Sequence, residues 1–291
     1  MKKVITTTIL LLFLGQLTFA QQAKLLGQVK PKALKKEPYK EWYNKEFDGY
    51  KVHPDLVEGM QDGLKSYEIK VFLGTWCGDS KREVPRFLKV LDEAKFPKSK
   101  LQIICVDNEE ATYKQSPRRE EQGLNVHRVP TFIFYKDGKE VNRIVESPVN
   151  RMEQDMHDIV EGKKYSPNYK VVSYMEKLFQ EKSVEELKAM KTALTARLGE
   201  FTKGSRELNT YGYVKLRSGE TEKALYIFDL NAKMYPLNQN TFDSLAEAYY
   251  QLEDYDNAIK NYARVLTIDS KNEHALEMIN KIVVKEKDLE K

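Results

Sequence analysis

Cysteine is scarce in this chain: its 291 residues include only Cys77 and Cys105. Two cysteines are too few for the disulfide framework that stabilises many small exported domains. Residues 101–106 are apolar except for Gln102, and this pattern predicts a central buried strand. Because free cysteine is among the most buried residue types, we expect Cys105 to be a core residue.

Histidine is also rare. The four histidines share no ligand spacing with one another or with a cysteine, so we expect no metal site. The sequence contains no glycine-rich phosphate loop and no nucleophilic Ser/His/Asp arrangement, so we expect no cofactor. The formal net charge is +4, and no basic stripe is interleaved with aromatic residues, so we expect no nucleic-acid partner.

No apolar run reaches the ~20 residues that a membrane-spanning helix needs. The chain begins with Lys2 and Lys3, followed by an apolar stretch at residues 4–17 and by small residues that end at Ala20. This order is typical of a secretory signal peptide, so we expect residues 1–20 to be cleaved and no membrane span to remain. An uncleaved N-terminal anchor is the alternative. We therefore expect an exported protein, in a bacterial periplasm or, alternatively, secreted.

The other cysteine, Cys77, lies where a predicted strand passes into a predicted helix. Residues 71–73 form a short apolar run that predicts a buried strand, and a helical pattern begins at Ser80. Backbone N–H groups and the positive end of the helix dipole then point at Cys77 and favour the thiolate, which is the reactive form. Lys81 acts in the same direction, whereas Asp79 opposes it. Cys77 is therefore the candidate catalytic nucleophile.

This segment resembles the active site of the thioredoxin family, whose motif is Trp-Cys-Gly-Pro-Cys-Lys followed by a proline within the helix. The matching residues are Trp76, Cys77, Gly78, Lys81 and Pro85. Val129, Pro130 and Thr131 resemble the family's cis-proline and the start of the strand that follows it. In that family the proline packs beside the reactive cysteine, and the backbone before it pairs with the substrate. The resemblance implies an α/β thioredoxin-like domain with a central mixed sheet flanked by helices.

Two departures from the family's pattern affect the chemistry. Ser80 occupies the place of the second, resolving cysteine, which gives Cys-x-x-Ser. A resolving cysteine expels the reduced substrate from the mixed disulfide, and serine cannot carry out that step. Val71 occupies the place of a buried aspartate, so that proton relay is missing as well. The resemblance therefore implies a monothiol site, in which Cys77 depends on another thiol for release.

The resemblance also places residues around this site. The strand of Cys105 would neighbour residues 71–73 and lie below the site, so we expect no disulfide between Cys105 and Cys77. His127 and Arg128 would border the sulfur as part of a substrate groove. There Arg128 would stabilise a thiolate or guide an acidic client, and simple exposure is the alternative.

Local signals complete the first domain. Asp137 and Gly138 predict a hairpin turn between two strands. Ser147 and Pro148 predict the N-cap and the first residue of its last helix. Residues 24–50 are rich in lysine and aromatics but show no clear period, so we interpret them as an N-terminal extension that packs on this domain.

Beyond residue 163 the pattern is entirely helical. From about Ser205 small and aromatic residues recur 34 positions later: Ala224 and Phe228 as Ala258 and Tyr262, and Gly212 as Ala246. This resembles two tetratricopeptide repeats, the first of them degenerate because Lys215 stands where tyrosine is usual, followed by a capping helix. Because two repeats rarely bury enough core, we expect the helices within residues 171–198 to stack on them.

The predicted organisation is a signal peptide at residues 1–20, a thioredoxin-like domain with its N-terminal extension at 21–163, a helical connector at 164–204, and tetratricopeptide-like repeats with a capping helix at 205–291. Three functions fit it. The first is thiol–disulfide exchange, oxidoreductase-like or isomerase-like, through mixed disulfides between Cys77 and protein clients that contain cysteines or disulfides. An external thiol reductant or redox partner would complete this cycle, and the repeats would form a protein-interaction surface. The second is a non-catalytic client-binding or retention module, and the third is a repeat-based adaptor with a vestigial site.

Overall fold

The computed structural model describes residues 23–289, so the predicted signal peptide lies outside the described residues. Five strands form one sheet in the order β1-β3-β2-β4-β5. They are β1 (Gly27–Val29), β2 (Glu68–Leu73), β3 (Leu101–Cys105), β4 (Thr131–Lys136) and β5 (Lys139–Val145). The helices of this part are α1 (Lys40–Gly49), α2 (Pro54–Leu64), α3 (Gly78–Glu93) and α4 (Met152–Val160). Sheet and helices share one hydrophobic cluster, which confirms the predicted α/β class.

The sheet is mixed, and β2 lies at its centre. Strand β2 pairs in parallel with β3 and antiparallel with β4, while β1 and β5 form the antiparallel edges. Cys105 pairs with Leu73 at the end of β3 and is fully buried, as predicted. Burial raises the pKa of the Cys105 thiol to about 12, and both cysteines are free thiols.

The N-terminal extension is more ordered than its sequence pattern indicates. It contains the edge strand β1 and helix α1, neither of which was predicted. Tyr43 of α1 is buried, and its ring stacks on Phe47 at 5.4 Å. With only three residues, β1 is too short to show an alternating pattern, so its pairing with β3 is visible only in three dimensions.

The predicted start of α4 is wrong. Ser147 and Pro148 precede the helix, which begins at Met152 with Arg151 as its N-cap. The fully buried carboxylate of Asp155 accepts hydrogen bonds from the backbone N–H groups of Val149 at 2.6 Å and Asn150 at 3.1 Å. These bonds hold the preceding segment in a turn, so the helix starts later.

The rest of the described chain is helical, which confirms the predicted all-α class for this part. Its helices are α5 (Lys170–Glu181), α6 (Val184–Ala189), α7 (Lys191–Gly199), α8 (Arg206–Arg217), α9 (Thr221–Met234), α10 (Gln239–Gln251), α11 (Tyr255–Ile268) and α12 (Glu273–Leu289). Apolar residues of α5 to α7 share a cluster with α8 and α9, which is the stacking expected for residues 171–198. Within residues 23–289, no helix is both long and apolar enough to cross a membrane.

Helical spacing continues through residues 184–198, but the structure divides this stretch at Met190. The hydroxyl of Tyr226 donates to the carbonyl of Leu187 over 2.9 Å, and the N–H of Met190 donates to the same carbonyl over 3.1 Å. In a continuous helix that carbonyl would accept from Lys191. A capping box of Ser183 and Glu186 begins α6.

Gly212 allows α8 and α9 to approach closely, and its replacement by alanine is expected to destabilise the protein by about 1 kcal/mol. A Cβ atom at this position would lie 2.6 Å from the ring of Phe228, which is fully buried and has no room to move. Overpacking of this kind costs about 1–3 kcal/mol, against a gain in helix propensity of about 0.5–1 kcal/mol. Gly199→Ala in α7 is the control, because its Cβ would meet open space. Urea unfolding midpoints that fall equally for both variants would contradict this assignment.

Candidate functional site

A tight connection between β2 and α3 places Cys77. Strand β2 ends at Leu73 and α3 begins at Gly78, with Cys77 as its N-cap. The N–H of Cys77 donates to the carbonyl of Gly74 over 2.9 Å and closes the turn. Position 74 requires glycine, because a Cβ atom there would lie 2.4 Å from the indole of Trp76. Cys77 therefore lies at the helix N-terminus, where the sequence pattern predicted it.

The thiol faces the segment that precedes β4. Cys77 is half-buried, and its Sγ atom lies 3.3 Å from the carbonyl oxygen of Val129. The Val129–Pro130 peptide bond is cis, and the hydroxyl of Thr131 donates to the carbonyl of Arg128 over 2.7 Å. The fold thus brings together two segments that are 52 positions apart in the sequence.

Ser80 supports the turn rather than lining an open site. It is fully buried, and its Oγ atom accepts a hydrogen bond from the N–H of Gly74 over 3.2 Å. Val71 is also fully buried, within the core around β2. Packed apolar atoms therefore fill the position at which the thioredoxin resemblance implies an aspartate.

The charged residues in the first turn of α3 largely pair with one another. The carboxylate of Asp79 lies 2.8 Å from the guanidinium of Arg82, whose Nε lies 2.6 Å from the buried carboxylate of Glu83. The ion pair with Arg82 therefore offsets the negative charge of Asp79, which opposes a thiolate at Cys77. Three other residues that match the thioredoxin motif lie in this helix: Gly78 is exposed, Lys81 is half-buried and Pro85 is buried.

Trp76 connects the thiol to the loop that follows β3. Its indole N–H donates to the carbonyl of Val106 over 2.9 Å. Its ring lies 5.8 Å from the ring of Tyr113, measured between centroids. Trp76 therefore fixes the loop beside Cys77 rather than simply shielding the sulfur.

The prediction that His127 lines a substrate groove is wrong. The side chain is 3% exposed, and its Nδ1 lies 3.0 Å from the carbonyl of Asn125. Its ring packs edge-on against Tyr169 and Tyr211 of the helical part. Burial lowers the pKa of His127 to about 3, assisted by the positive charge of Lys114. His127 is therefore a neutral residue packed between the two parts of the chain.

Arg128 is also directed toward the helical part. Its guanidinium lies 4.9 Å from the centre of the Tyr169 ring and donates to the carbonyl of Arg206 over 3.3 Å. The sequence analysis left open whether Arg128 stabilises a thiolate, guides an acidic client or is simply exposed, and it did not include these contacts. Arg128 instead joins the segment before Pro130 to helix α8.

Sequence patterns missed Tyr113, Lys114 and Arg217. The guanidinium of Arg217, at the end of α8, donates to the carbonyl of Tyr113 over 3.3 Å and lies 5.6 Å from the centre of its ring. Arg119 donates in return to the carbonyl of Arg217 over 3.1 Å. Lys114 is buried beside these residues. Helix α8 therefore borders the loop that contacts Trp76.

Comparison with known proteins bears on the first part of the chain. The family model described as Thioredoxin matches residues 30–158. Residues 30–158 form a thioredoxin-like domain. Thioredoxin H9 of Arabidopsis thaliana is 25% identical over 134 residues, which cover 43% of this chain and 87% of that protein.

Two fungal proteins match shorter stretches of the chain. Thioredoxin Asp f 29 of Aspergillus fumigatus is 34% identical over 71 residues, which cover 24% of this chain and 57% of that protein. Thioredoxin-2 of Pyricularia oryzae is 30% identical over 91 residues, 31% of this chain and 47% of that protein. The Thioredoxin family match ends before the helices α5 to α12.

Proposed function

We propose that this protein carries out thiol–disulfide exchange through Cys77. The observation that carries the proposal is the half-exposed thiol at the N-terminus of α3, 3.3 Å from the carbonyl of Val129 in a thioredoxin-like domain. A thiolate at a helix N-terminus is stabilised by backbone N–H groups and by the helix dipole. The carbonyl of Val129 marks the backbone along which an extended client segment would lie.

In the proposed reaction, the thiolate of Cys77 attacks one sulfur of a client disulfide. A new S–S bond joins Cys77 to the client, and the second client sulfur leaves as a thiolate. Ser80 offers no thiol for the second step, and its hydroxyl is bound to the N–H of Gly74. Release therefore requires a thiolate from the client or from an external reductant, which attacks the mixed disulfide and regenerates Cys77. A client thiolate rearranges the client's disulfides, and an external thiol reduces them.

We further propose that the helical part is tetratricopeptide-like and holds the client. Helix α11 begins at Tyr255, 34 positions after α9 begins at Thr221, and α12 begins at Glu273, 34 positions after α10 begins at Gln239. This displacement equals the length of a tetratricopeptide repeat. Contacts of α8 with the loop beside Trp76 support the idea that a client on the helices would reach Cys77. Export to a periplasm is part of this proposal.

Trapping of mixed disulfides tests the proposed exchange. We expect the protein, incubated with a disulfide-bonded peptide, to accumulate a covalent adduct at Cys77 that mass spectrometry detects. Cys77→Ser should form no adduct. Cys105→Ser is the matched control and should form as much adduct as the unchanged protein, because Cys105 is fully buried.

Ser80→Cys supplies the missing second thiol and should shorten the lifetime of the adduct. An internal attack on the mixed disulfide has an effective concentration that an external thiol does not match. If the unchanged protein forms no adduct with any disulfide peptide, the exchange proposal is wrong. Peptide binding that is unchanged in Cys77→Ser would then favour the non-catalytic binding module.

A further inference from the structure

Lys114 is a buried lysine in the loop that packs on Trp76 beside the candidate site. It is 6% exposed, and its ammonium donates to the carbonyl of His127 over 2.8 Å. The backbone N–H of Lys114 donates to the carbonyl of Asp107 over 2.8 Å, which anchors this part of the loop to the residues that follow β3. A buried lysine is uncommon unless it is paired or has a function.

The ammonium of Lys114 and the sulfur of Cys77 contact carbonyls of one short segment, and the charge of Cys77 acts on Lys114. Lys114 binds the carbonyl of His127, and the Sγ atom of Cys77 lies 3.3 Å from the carbonyl of Val129. The Cα atoms of His127 and Val129, two positions apart, are separated by at most about 7 Å, so the lysine and cysteine side chains reach the same stretch of backbone. The preceding residue, Tyr113, packs against Trp76, which adjoins Cys77 in the chain. The loop is therefore held beside Cys77 by two contacts, one from Tyr113 and one from Lys114.

The charges around Lys114 make its protonation responsive near neutral pH. Burial lowers the pKa of Lys114 to about 7, the positive charges of Arg128 and Arg217 act in the same direction, and the negative charges of Cys77 and Glu146 oppose them. Glu146 accepts a hydrogen bond from Tyr169, Arg217 is bound to the Tyr113 carbonyl, and His127 is neutral. The cysteine is therefore the neighbour whose charge changes during disulfide exchange.

We propose that Lys114 is a positioning residue that sets the charge of Cys77 during exchange. The pair holds one exchangeable proton: the neutral thiol and neutral amine interconvert with a thiolate and an ammonium ion, with no net gain or loss of protons. When the thiolate attacks a disulfide its charge passes to the leaving sulfur, and the ammonium then favours return of negative charge to Cys77 on release. This inference rests on the proposed exchange function. In it, Lys114 takes the role of the buried aspartate whose position Val71 occupies.

The rate of Cys77 alkylation by iodoacetamide, measured against pH, tests this inference. We expect Lys114→Met to lower the rate at pH 6.5 by about tenfold, which corresponds to one pK unit of interaction between the two groups. Lys114→Arg keeps the positive charge at every pH, so it should keep the rate at pH 6.5 at least as high as in the unchanged protein. Lys139→Met removes an exposed lysine from the β4–β5 hairpin and is the control for net charge.

A reciprocal measurement needs no substitution at Lys114. Because coupling between two titrating groups is mutual, NMR titration of the Lys114 amine should show a lower midpoint in Cys77→Ser than in the unchanged protein. Equal midpoints, or equal pH profiles for Lys114→Met and Lys139→Met, would overturn the inference. Normal trapping of mixed disulfides with no effect of Lys114 would reject this inference alone. A Lys114-dependent alkylation rate without any mixed disulfide would reject the proposed exchange function instead.

Discussion

Replacing Glu176 with alanine is expected to lower the free energy of unfolding by about 3 kcal/mol. The carboxylate of Glu176 in α5 accepts a hydrogen bond from the hydroxyl of Tyr211 and lies 2.7 Å from the ammonium of Lys215, both in α8. Tyr211 is fully buried and the Lys215 side chain is 3% exposed, so neither group can turn to water when its acceptor is removed. The buried ammonium would keep Glu220, at 2.9 Å, as its ion-pair partner.

Glu181→Ala is the matched control, because it removes a glutamate from the same helix. Glu181 pairs with Lys177 at 3.8 Å on the surface, where both side chains are more than half exposed. Exposed pairs of this kind contribute about 0–1 kcal/mol, so urea unfolding followed by far-UV circular dichroism should hardly change. Lys215→Met combined with Glu176→Ala should recover part of the loss, because it removes the buried ammonium that has lost one of its two carboxylate partners. Equal small losses for Glu176→Ala and Glu181→Ala would show that the buried contacts contribute nothing.

The same cluster shows what a repeat pattern can and cannot predict. The predicted repeat pattern marks Lys215 as a departure, because a tyrosine is usual there in that pattern. It could not identify the partners, since Glu176 lies in α5, outside the predicted repeats, and Glu220 follows α8. A charged side chain can occupy this buried position because α5 stacks on α8 and supplies a carboxylate.

Features that depend on local sequence were predicted well. The apolar run at residues 71–73 and the helical pattern that begins at Ser80 place Cys77 at a strand-to-helix turn without any tertiary information. The Asp137-Gly138 turn also follows from local chemistry, because both residues adopt positive φ values, 52° and 73°. Each of these features is decided by neighbours within a few positions in the chain.

Features that depend on distant contacts were missed. Nothing near Tyr113 and Lys114 in the sequence indicates that this loop packs on Trp76 or that Arg217, 104 positions away from Tyr113, binds its carbonyl. His127 was expected at the groove because it nearly adjoins Pro130 in the sequence. Its direction is instead set by the Tyr169 and Tyr211 rings, which reach it only after the helical part has packed.

Because His127 takes up a proton only when the chain unfolds, acidification from pH 7 to pH 4.5 is expected to lower the free energy of unfolding by about 2–3 kcal/mol. Burial lowers the pKa of His127 to about 3 in the folded state, whereas a histidine in the unfolded chain has a pKa of about 6.5. Between these two values the unfolded chain binds the proton and the folded protein does not. The contribution of neutral His127 to the free energy of unfolding is therefore fully present above pH 6.5 and is lost as the pH decreases toward 3.

His127→Phe should remove this part of the acid sensitivity, because a phenyl ring keeps the packing on Tyr169 and Tyr211 and does not titrate. Measured by urea unfolding at pH 7 and pH 4.5, the variant should lose about 2–3 kcal/mol less than the unchanged protein. His53→Gln is the control, since His53 is exposed and its side chain lies outside this interface. Other groups that titrate in this range affect all three proteins alike, so the difference isolates His127. If His127→Phe and His53→Gln lose the same stability on acidification, the histidine is not held neutral between the two parts of the chain, and acid instability must come from carboxylates elsewhere.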